Sequence, residues 1–184
     1  MSKKFDGIIF DMDGVIRIGN KPISGANNII KYMNSNNIGG MLMTNECRYT
    51  EDELRNDLLE LGINIPQHWY IYSASMAVRD YLEKKIVKNN DKNYSIGIIG
   101  EIGLFETINQ LSKYSNFEIV ETPPKYKTNL ILIIGSVNRI KISTLEKGLK
   151  WLKSDAKIIT TCPDTSDPSS KGDFNLGMPN HILH

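Results

Sequence analysis

Short apolar runs of strand length recur along this chain, and between them apolar residues fall at helical spacing. Gly7-Ile8-Ile9-Phe10, Met41-Leu42-Met43-Thr44, Ser95–Ile99, Leu130–Ile134 and Lys157–Thr161 read as strands. Continuous apolar runs suit strands covered on both faces, and alternation with helical stripes points to a parallel sheet with crossover helices. Ala26, Ile29, Ile30 and Met33 form one such stripe behind a cap at Ser24. Thr50 and Glu53 have capping-box spacing ahead of Leu54, Leu58 and Leu61, with Gly62 as the stop. Residues 6–63 therefore read β-α-β-α.

A second series follows Pro66. Val78, Tyr81 and Leu82 make a helical stripe, and the polar cluster at 89–93 ends it. Leu104, Ile108 and Leu111 mark another helix, Phe117–Val120 another strand, and Ser143 with Glu146 caps a helix bearing Leu145, Leu149 and Leu152. Residues 94–161 read β-α-β-β-α-β, a layer able to hold its own core. The boundary between the two series falls near 66–75.

Length and charge narrow the function classes. The 184 residues carry 22 Lys and Arg against 21 Asp and Glu, a formal charge of +1. Such a balance argues against a broad electrostatic footprint for nucleic acid or an anionic membrane. The apolar runs fall far short of the roughly 20 residues that span a bilayer. Acids interrupt the N-terminal apolar stretch, which does not read as a signal peptide. With two cysteines, Cys47 and Cys162, no disulfide framework is implied, and a cytoplasmic location is the expectation.

The sharpest motif is Phe10-Asp11-Met12-Asp13-Gly14, directly after the first strand. If the strand continues, period-two geometry puts Asp11 and Asp13 on one side of the chain. Ligands gather beyond the carboxyl ends of strands in parallel α/β sheets, where these acids fall. Two adjacent carboxylates repel unless a proton or cation intervenes, and Mg²⁺ with a substrate phosphate meets that need. Taken alone, the pair reads equally well as turn or capping acids. The second strand shifts the balance, because it ends in Thr44-Asn45, whose hydroxyl and amide can bind phosphate oxygens.

Together FDMDGV, PISGA at 22–26, MTNE at 43–46 and TCPDT at 161–165 resemble the haloacid dehalogenase (HAD) superfamily. The resemblance is to its NagD and 4-nitrophenylphosphatase branch, and LGI at 61–63, YSASMAVRDYL at 72–82 and IGEIGL at 99–104 extend it along nearly the whole chain. It implies an α/β fold: a HAD-like Rossmannoid parallel-sheet core, present as its N-terminal part, with an inserted α/β cap. On that basis residues 1–72 are core, 73–163 cap and 164–184 a return segment. The resemblance implies Asp11 as the nucleophile forming an aspartyl-phosphate, and Asp13 as general acid and then base. It also implies Mg²⁺ on the Asp11 carboxylate and the Asp13 backbone carbonyl, and phosphate oxygens on Thr44 and Asn45. A small phosphorylated metabolite is the expected partner, and family members with such caps often pair through them.

The sequence departs from the family pattern. The family's third motif, a lysine, and its fourth, an acidic cluster, follow the cap; Lys171 matches neither, and Asp164, Asp167 and Asp173 lie in the return segment. A fragment of a longer phosphatase is the favoured expectation. The alternatives are a remnant that binds a ligand or protein without turnover, or groups supplied by a second chain. A two-strand half-core would leave an open edge and an uncovered face. Glu46, Arg48 and Asp164 are candidates to face the leaving group, against solvated loop charges or a turn. Cys47 has no histidine nearby in sequence and reads as a small buried thiol, while Cys162 stands where the family commonly has Asn. His68, His181 and His184 lack metal-ligand spacing, and Trp69 and Trp151 read as packing residues. A phosphoacceptor domain is a third class, disfavoured by the second acid and the glycine after it.

Overall fold

A computed structural model of the protein describes residues 5–88, 92–137, 141–161, 166–168 and 174–176. The chain divides into two compact units: one holds residues 1–44, 51–73 and 167–175, the other 45–50, 74–166 and 176–184.

In the first unit three parallel strands, β1 (Gly7–Asp11), β4 (Gly39–Thr44) and β5 (Tyr70–Ser73), lie in the order β1-β4-β5. Phe10 registers with Leu42, and Leu42 with Ile71. Leu42 and Ile71 are fully buried in a cluster with Met12, Ile30, Met33, Leu54, Leu58 and Trp69. Helices α1 (Ala26–Ser35) and α2 (Glu51–Glu60) supply its aliphatic residues. Trp69 lies against Gly40, where a Cβ would come within 2.3 Å of the indole ring. On the other face of this sheet Ile9, Met43 and Tyr70 are exposed among the described residues.

The sheet of the first unit thus has three strands, not the expected two. Strand β5 escapes the reading because Tyr70-Ile71-Tyr72-Ser73 shows no alternation and runs straight into a helix. A small hairpin, β2 (Arg17–Ile18) with β3 (Lys21–Pro22), also intervenes before α1. Gly25, at φ 88°, and not Ser24, caps α1 without a side-chain hydrogen bond. Ile29 is exposed, while Ala26, Ile30 and Met33 carry the buried face.

In the second unit four parallel strands, β6 (Tyr94–Ile99), β7 (Phe117–Ile119), β8 (Asn129–Ile134) and β9 (Lys157–Thr160), lie in the order β7-β6-β8-β9. Every residue of β6 is buried. One face packs Ile96, Ile98, Ile131 and Ile133 against Val78 and Leu82 and against Leu104, Ile108 and Leu111. Those residues come from α3 (Ala74–Tyr81), a π-helical turn over Leu82–Val87, α4 (Ile102–Asn109) and a 3₁₀ turn over Gln110–Lys113. On the opposite face Ile99, Leu132 and Ile134 meet Trp151 of α5 (Ile142–Leu152). Trp151 lies on Gly97, where a Cβ would come within 2.4 Å of the ring. Helix α5 starts one residue before Ser143, at an Lys141 cap, and buries Gly148 and Trp151. Leu145, Leu149 and Leu152, the expected buried stripe, are exposed, because Trp151 fills the space a leucine row would occupy.

Strands β10 (Ser166–Pro168) and β11 (Phe174–Leu176) pair with each other. No helix among the described residues is long and apolar enough to cross a membrane.

Candidate active site

The acidic motif is set by the residue between its acids. Strand β1 ends at Asp11, two residues short of what the period-two argument needs, but Met12 N–H still donates to Met43 O at 3.2 Å. Met12 is fully buried in the first unit's core, which anchors the chain and leaves Asp11 exposed and Asp13 half-buried on either side. The backbone then folds back: Gly14 N–H donates to Arg17 O at 2.7 Å and Arg17 N–H to Met12 O at 3.1 Å. Gly14 takes φ 91°, a left-handed conformation that a side chain would strain. Asp11 Oδ1 accepts the Met12 N–H at 2.8 Å.

Arg17 is the functional neighbour that the sequence reading missed. Its side chain is buried, its Nε donates to Asp13 Oδ1 at 3.0 Å, and its Nη1 pairs with Asp57 of α2. A guanidinium gripped from two sides fixes the rotamer of Asp13 and ties the turn to α2. The signal available in the sequence was a lone arginine four residues after Asp13, inside the apolar stretch Val15-Ile16-Arg17-Ile18. The other carboxylate oxygen, Asp13 Oδ2, lies 3.5 Å from Thr44 Oγ1. Thr44 is buried at the end of β4, the strand that pairs with β1. The first unit therefore brings Asp13 and Thr44 together at the carboxyl ends of adjacent strands, where Asp11 also falls.

Asn45 follows Thr44 directly, is exposed, and belongs with residues 46–50 to the second unit. Within that unit Glu46 is buried and is not a solvated loop charge. Its Oε1 accepts the Cys47 N–H at 2.9 Å and the Arg48 N–H at 2.8 Å, and Arg48 Nη2 donates to Oε2 at 2.5 Å. Burial pushes the Glu46 carboxyl up, but the Arg48 hydrogen bonds and charge, with the Cys47 N–H, outweigh it and hold the group below the usual carboxylate range. Arg48 in turn lies over the Tyr49 ring, 5.5 Å from its centroid.

Cys47 is a packing thiol. Its Sγ accepts hydrogen bonds from Ser136 N–H and Thr161 Oγ1, both at 3.2 Å, and its carbonyl accepts one from Ser75 Oγ at 3.1 Å. Burial pushes the thiol pKa up, the opposite of what a nucleophile needs. Gly103 N–H donates to Arg48 O at 3.0 Å, and a Cβ at Gly103 would come within 2.3 Å of the Tyr49 carbonyl carbon. Gly103 is thus a close-approach glycine that seats the 45–50 segment. His68 is exposed. Cys162, Asp164, Lys171, Asp173, His181 and His184 lie outside the described residues.

The residues suit Mg²⁺ in kind. An exposed Asp11 carboxylate and the Asp13 carbonyl, which the turn's backbone hydrogen bonds leave unused, are the hard oxygen donors this ion takes. Among the described residues no group of three or more His, Cys, Asp or Glu converges on one point. Water and substrate oxygens would fill the remaining positions.

A strand-end carboxylate pair, an adjacent strand-end hydroxyl and a parallel sheet define a class of protein. The sequence pattern of the haloacid dehalogenase-like hydrolases matches residues 8–111, more than half of the chain. The chain belongs to that family, in its NagD-like branch. It is 26% identical over 171 residues to an acid sugar phosphatase of Staphylococcus epidermidis, covering 92% of this chain and 60% of the relative. It is 27% identical over 158 residues to the ribonucleotide monophosphatase NagD of Escherichia coli, covering 86% of this chain and 57% of that protein. The glycerol phosphate phosphatase of Mycobacterium tuberculosis, solved in complex with magnesium, shares the fold at a TM-score of 0.75 and 16% identity. That match covers 97% of this chain and 50% of the other. The chain thus spans about 60% of the length of the curated relatives it matches.

Proposed function

We propose that this chain carries the nucleophile, the phosphate-binding strand end and the cap of a Mg²⁺-dependent phosphatase acting on small phosphate monoesters. The observation that carries the reading is the meeting of Asp13 with Thr44, 3.5 Å apart, at the ends of β1 and β4, with Asp11 at the end of the same β1. In this reading Asp11, exposed and with Oδ1 held by the Met12 N–H, acts as the nucleophile: its other oxygen attacks phosphorus and the ester oxygen leaves. Asp13, fixed through Oδ1 by Arg17, presents Oδ2 to give a proton to the leaving oxygen and then to take one from the hydrolytic water. Thr44 and Asn45 bind the phosphoryl oxygens, and residues 73–163 serve as the cap that selects the leaving group. The Asp11 carboxylate and the Asp13 carbonyl would hold Mg²⁺, which would supply charge neutralisation for the phosphoryl group being transferred. The phosphatase names of the relatives support this class of substrate.

A second reading, a ligand-binding module without turnover, rests on the small number of acidic donors among the described residues. Hydrolysis of 4-nitrophenyl phosphate separates the two. Under the phosphatase reading release of phosphate requires Mg²⁺, falls to background in Asp11→Asn, and drops roughly 10²–10⁴-fold in Asp13→Asn. Full activity in Asp11→Asn removes the nucleophile assignment, and a folded but silent wild-type chain favours the module.

A further inference from the structure

The second unit carries a cleft that the phosphatase reading does not use. It lies at the amino ends of β6, β8 and β9, where Tyr94, Asn129 and Lys157 begin their strands. The 45–50 segment, by contrast, packs on Gly103, Ser136 and Thr161, beyond the carboxyl ends of those strands. The two places are therefore at opposite ends of one sheet.

The cleft has a volume of about 560 Å³, within the range of small-molecule sites. Ile86, Tyr94 and Ile131 are buried and form its apolar floor. Two ammonium groups, Lys85 and Lys157, stand at its walls. Neither makes an ion pair with a carboxylate among the described residues. Lys157 is already oriented: its Nζ is 3.4 Å from Tyr81 OH and 5.9 Å from the centroid of the same ring. Lys85 is delivered by the π-helical turn Leu82–Val87, a departure from the α-helix that recurs at functional sites. Asp155 also lines the cleft; its φ of 56° is that of the residue closing the C-terminus of α5, where its N–H donates to Leu152 O and the Ala156 N–H to Trp151 O. Its carboxylate also lacks an ion-pair partner among the described residues, and it can accept hydrogen bonds from hydroxyl groups.

We propose that this cleft binds a phosphorylated sugar or polyol, with its phosphate on Lys85 and Lys157 and its hydroxyls on Asp155. Two cations lining one cleft, neither with a carboxylate partner among the described residues, match a dianion, and the one acid lining the same cleft matches neutral hydroxyl donors. An aliphatic anion would leave Asp155 unmatched, and an uncharged sugar would leave both lysines unmatched.

The test is amide NMR of the full chain carrying Asp11→Asn, titrated with ribose 5-phosphate, inorganic phosphate and ribose. The expected result is saturable shifts at Lys85, Tyr94 and Lys157 for ribose 5-phosphate, complete by about 10 mM. Ribose should leave these amides unmoved, and inorganic phosphate should bind more weakly. The double variant Lys85→Ala with Lys157→Ala should weaken binding at least about tenfold. Lys157→Arg should keep it, and Asp155→Asn should narrow the gap between ribose 5-phosphate and phosphate. Both lysines are exposed, so these variants fold. Shifts confined to the Asp11–Thr44 region, no saturation at these amides, or equal binding of phosphate and ribose 5-phosphate would each overturn the proposal. Because binding is read in Asp11→Asn, the result stands apart from whether the chain hydrolyses phosphate esters.

Discussion

Both units build a parallel sheet and set an indole on a strand glycine, yet they end with different surfaces. In the first, Trp69 covers Gly40 on the packed face of β1-β4-β5, and among the described residues Ile9, Met43 and Tyr70 stand exposed on the other. In the second, Trp151 covers Gly97 on one face of the four-stranded sheet, and α3 and α4 cover the opposite face. Parallel strands are ordinarily dressed on both faces. The second unit meets that condition from its own residues, and the first meets it by half. The same sequence device therefore gives unequal cores.

The largest test of this difference removes the indoles. The chain has two tryptophans, one in each unit, so each reports its own unit when the other is replaced. Trp151→Ala should cost about 3–5 kcal/mol and Trp69→Ala a similar amount, each read by urea unfolding. With Trp151 gone, Trp69 fluorescence should keep its midpoint while the circular dichroism transition of the second unit moves down. A common shift of both signals would show one cooperative unit and end the contrast. Each buried indole N–H lacks a hydrogen-bond partner among the described residues, so Trp→Phe should cost less than Trp→Ala at both sites.

Next in size are the glycines beneath the rings. An added Cβ would lie 2.3 Å from the Trp69 ring at Gly40 and 2.4 Å from Trp151 at Gly97. Gly97→Ala and Gly40→Ala should each destabilise by about 1–3 kcal/mol through overpacking. Pairing Gly97→Ala with Trp151→Leu should recover part of the loss, and a strictly additive double mutant would break the idea that the two residues form one contact.

The two units also differ in how far they could be read from sequence. In the second, the four strands of the parallel sheet are legible, β6 and β8 most plainly because both are nearly continuous apolar runs. In the first, β5 was missed because its outward tyrosines read as apolar, so the alternation with buried Ile71 and Ser73 does not show in the sequence. The leucines of α5 pointed to the wrong face because helical spacing alone cannot tell which stripe a nearby tryptophan has displaced. At the candidate site, the acids and Thr44 were legible as strand-end polar groups, whereas the link from Arg17 to Asp57 spans 40 residues of sequence and depends on where α2 packs. The buried Glu46–Arg48 fork was hidden for a related reason: local charges look solvated until their burial is known.

A smaller effect separates the units in acid. In the second unit Glu83 accepts a hydrogen bond from Tyr114 OH and pairs with Lys113 and Lys88, which lowers its carboxyl from the ordinary 4.5 to about 2. A depressed carboxylate contributes stability that is full above its unfolded value and is lost as pH falls through the folded one. Glu83→Gln should therefore flatten the loss of second-unit stability between about pH 4.5 and 2, followed by Trp151 fluorescence in a Trp69→Phe background. An unchanged acid limb would remove the Tyr114 network from the account.

The smallest effect is expected on the exposed face, and it bears most directly on the contrast. Ile9 is 63% exposed on β1, whereas Leu42 is fully buried on the neighbouring strand. Ile9→Thr keeps a β-branched side chain, so the strand's backbone preference is preserved and only apolar surface changes. A residue already in water has little burial to lose, and the variant should change stability by no more than about 0.5 kcal/mol. Leu42→Ala, removing a buried side chain from the dressed face, should cost about 2–5 kcal/mol in the same urea assay. If Ile9→Thr instead cost as much as Leu42→Ala, the face would be covered in solution by something that recognises Ile9. The two units would then have equally dressed sheets, one from its own helices and the other from a separate surface.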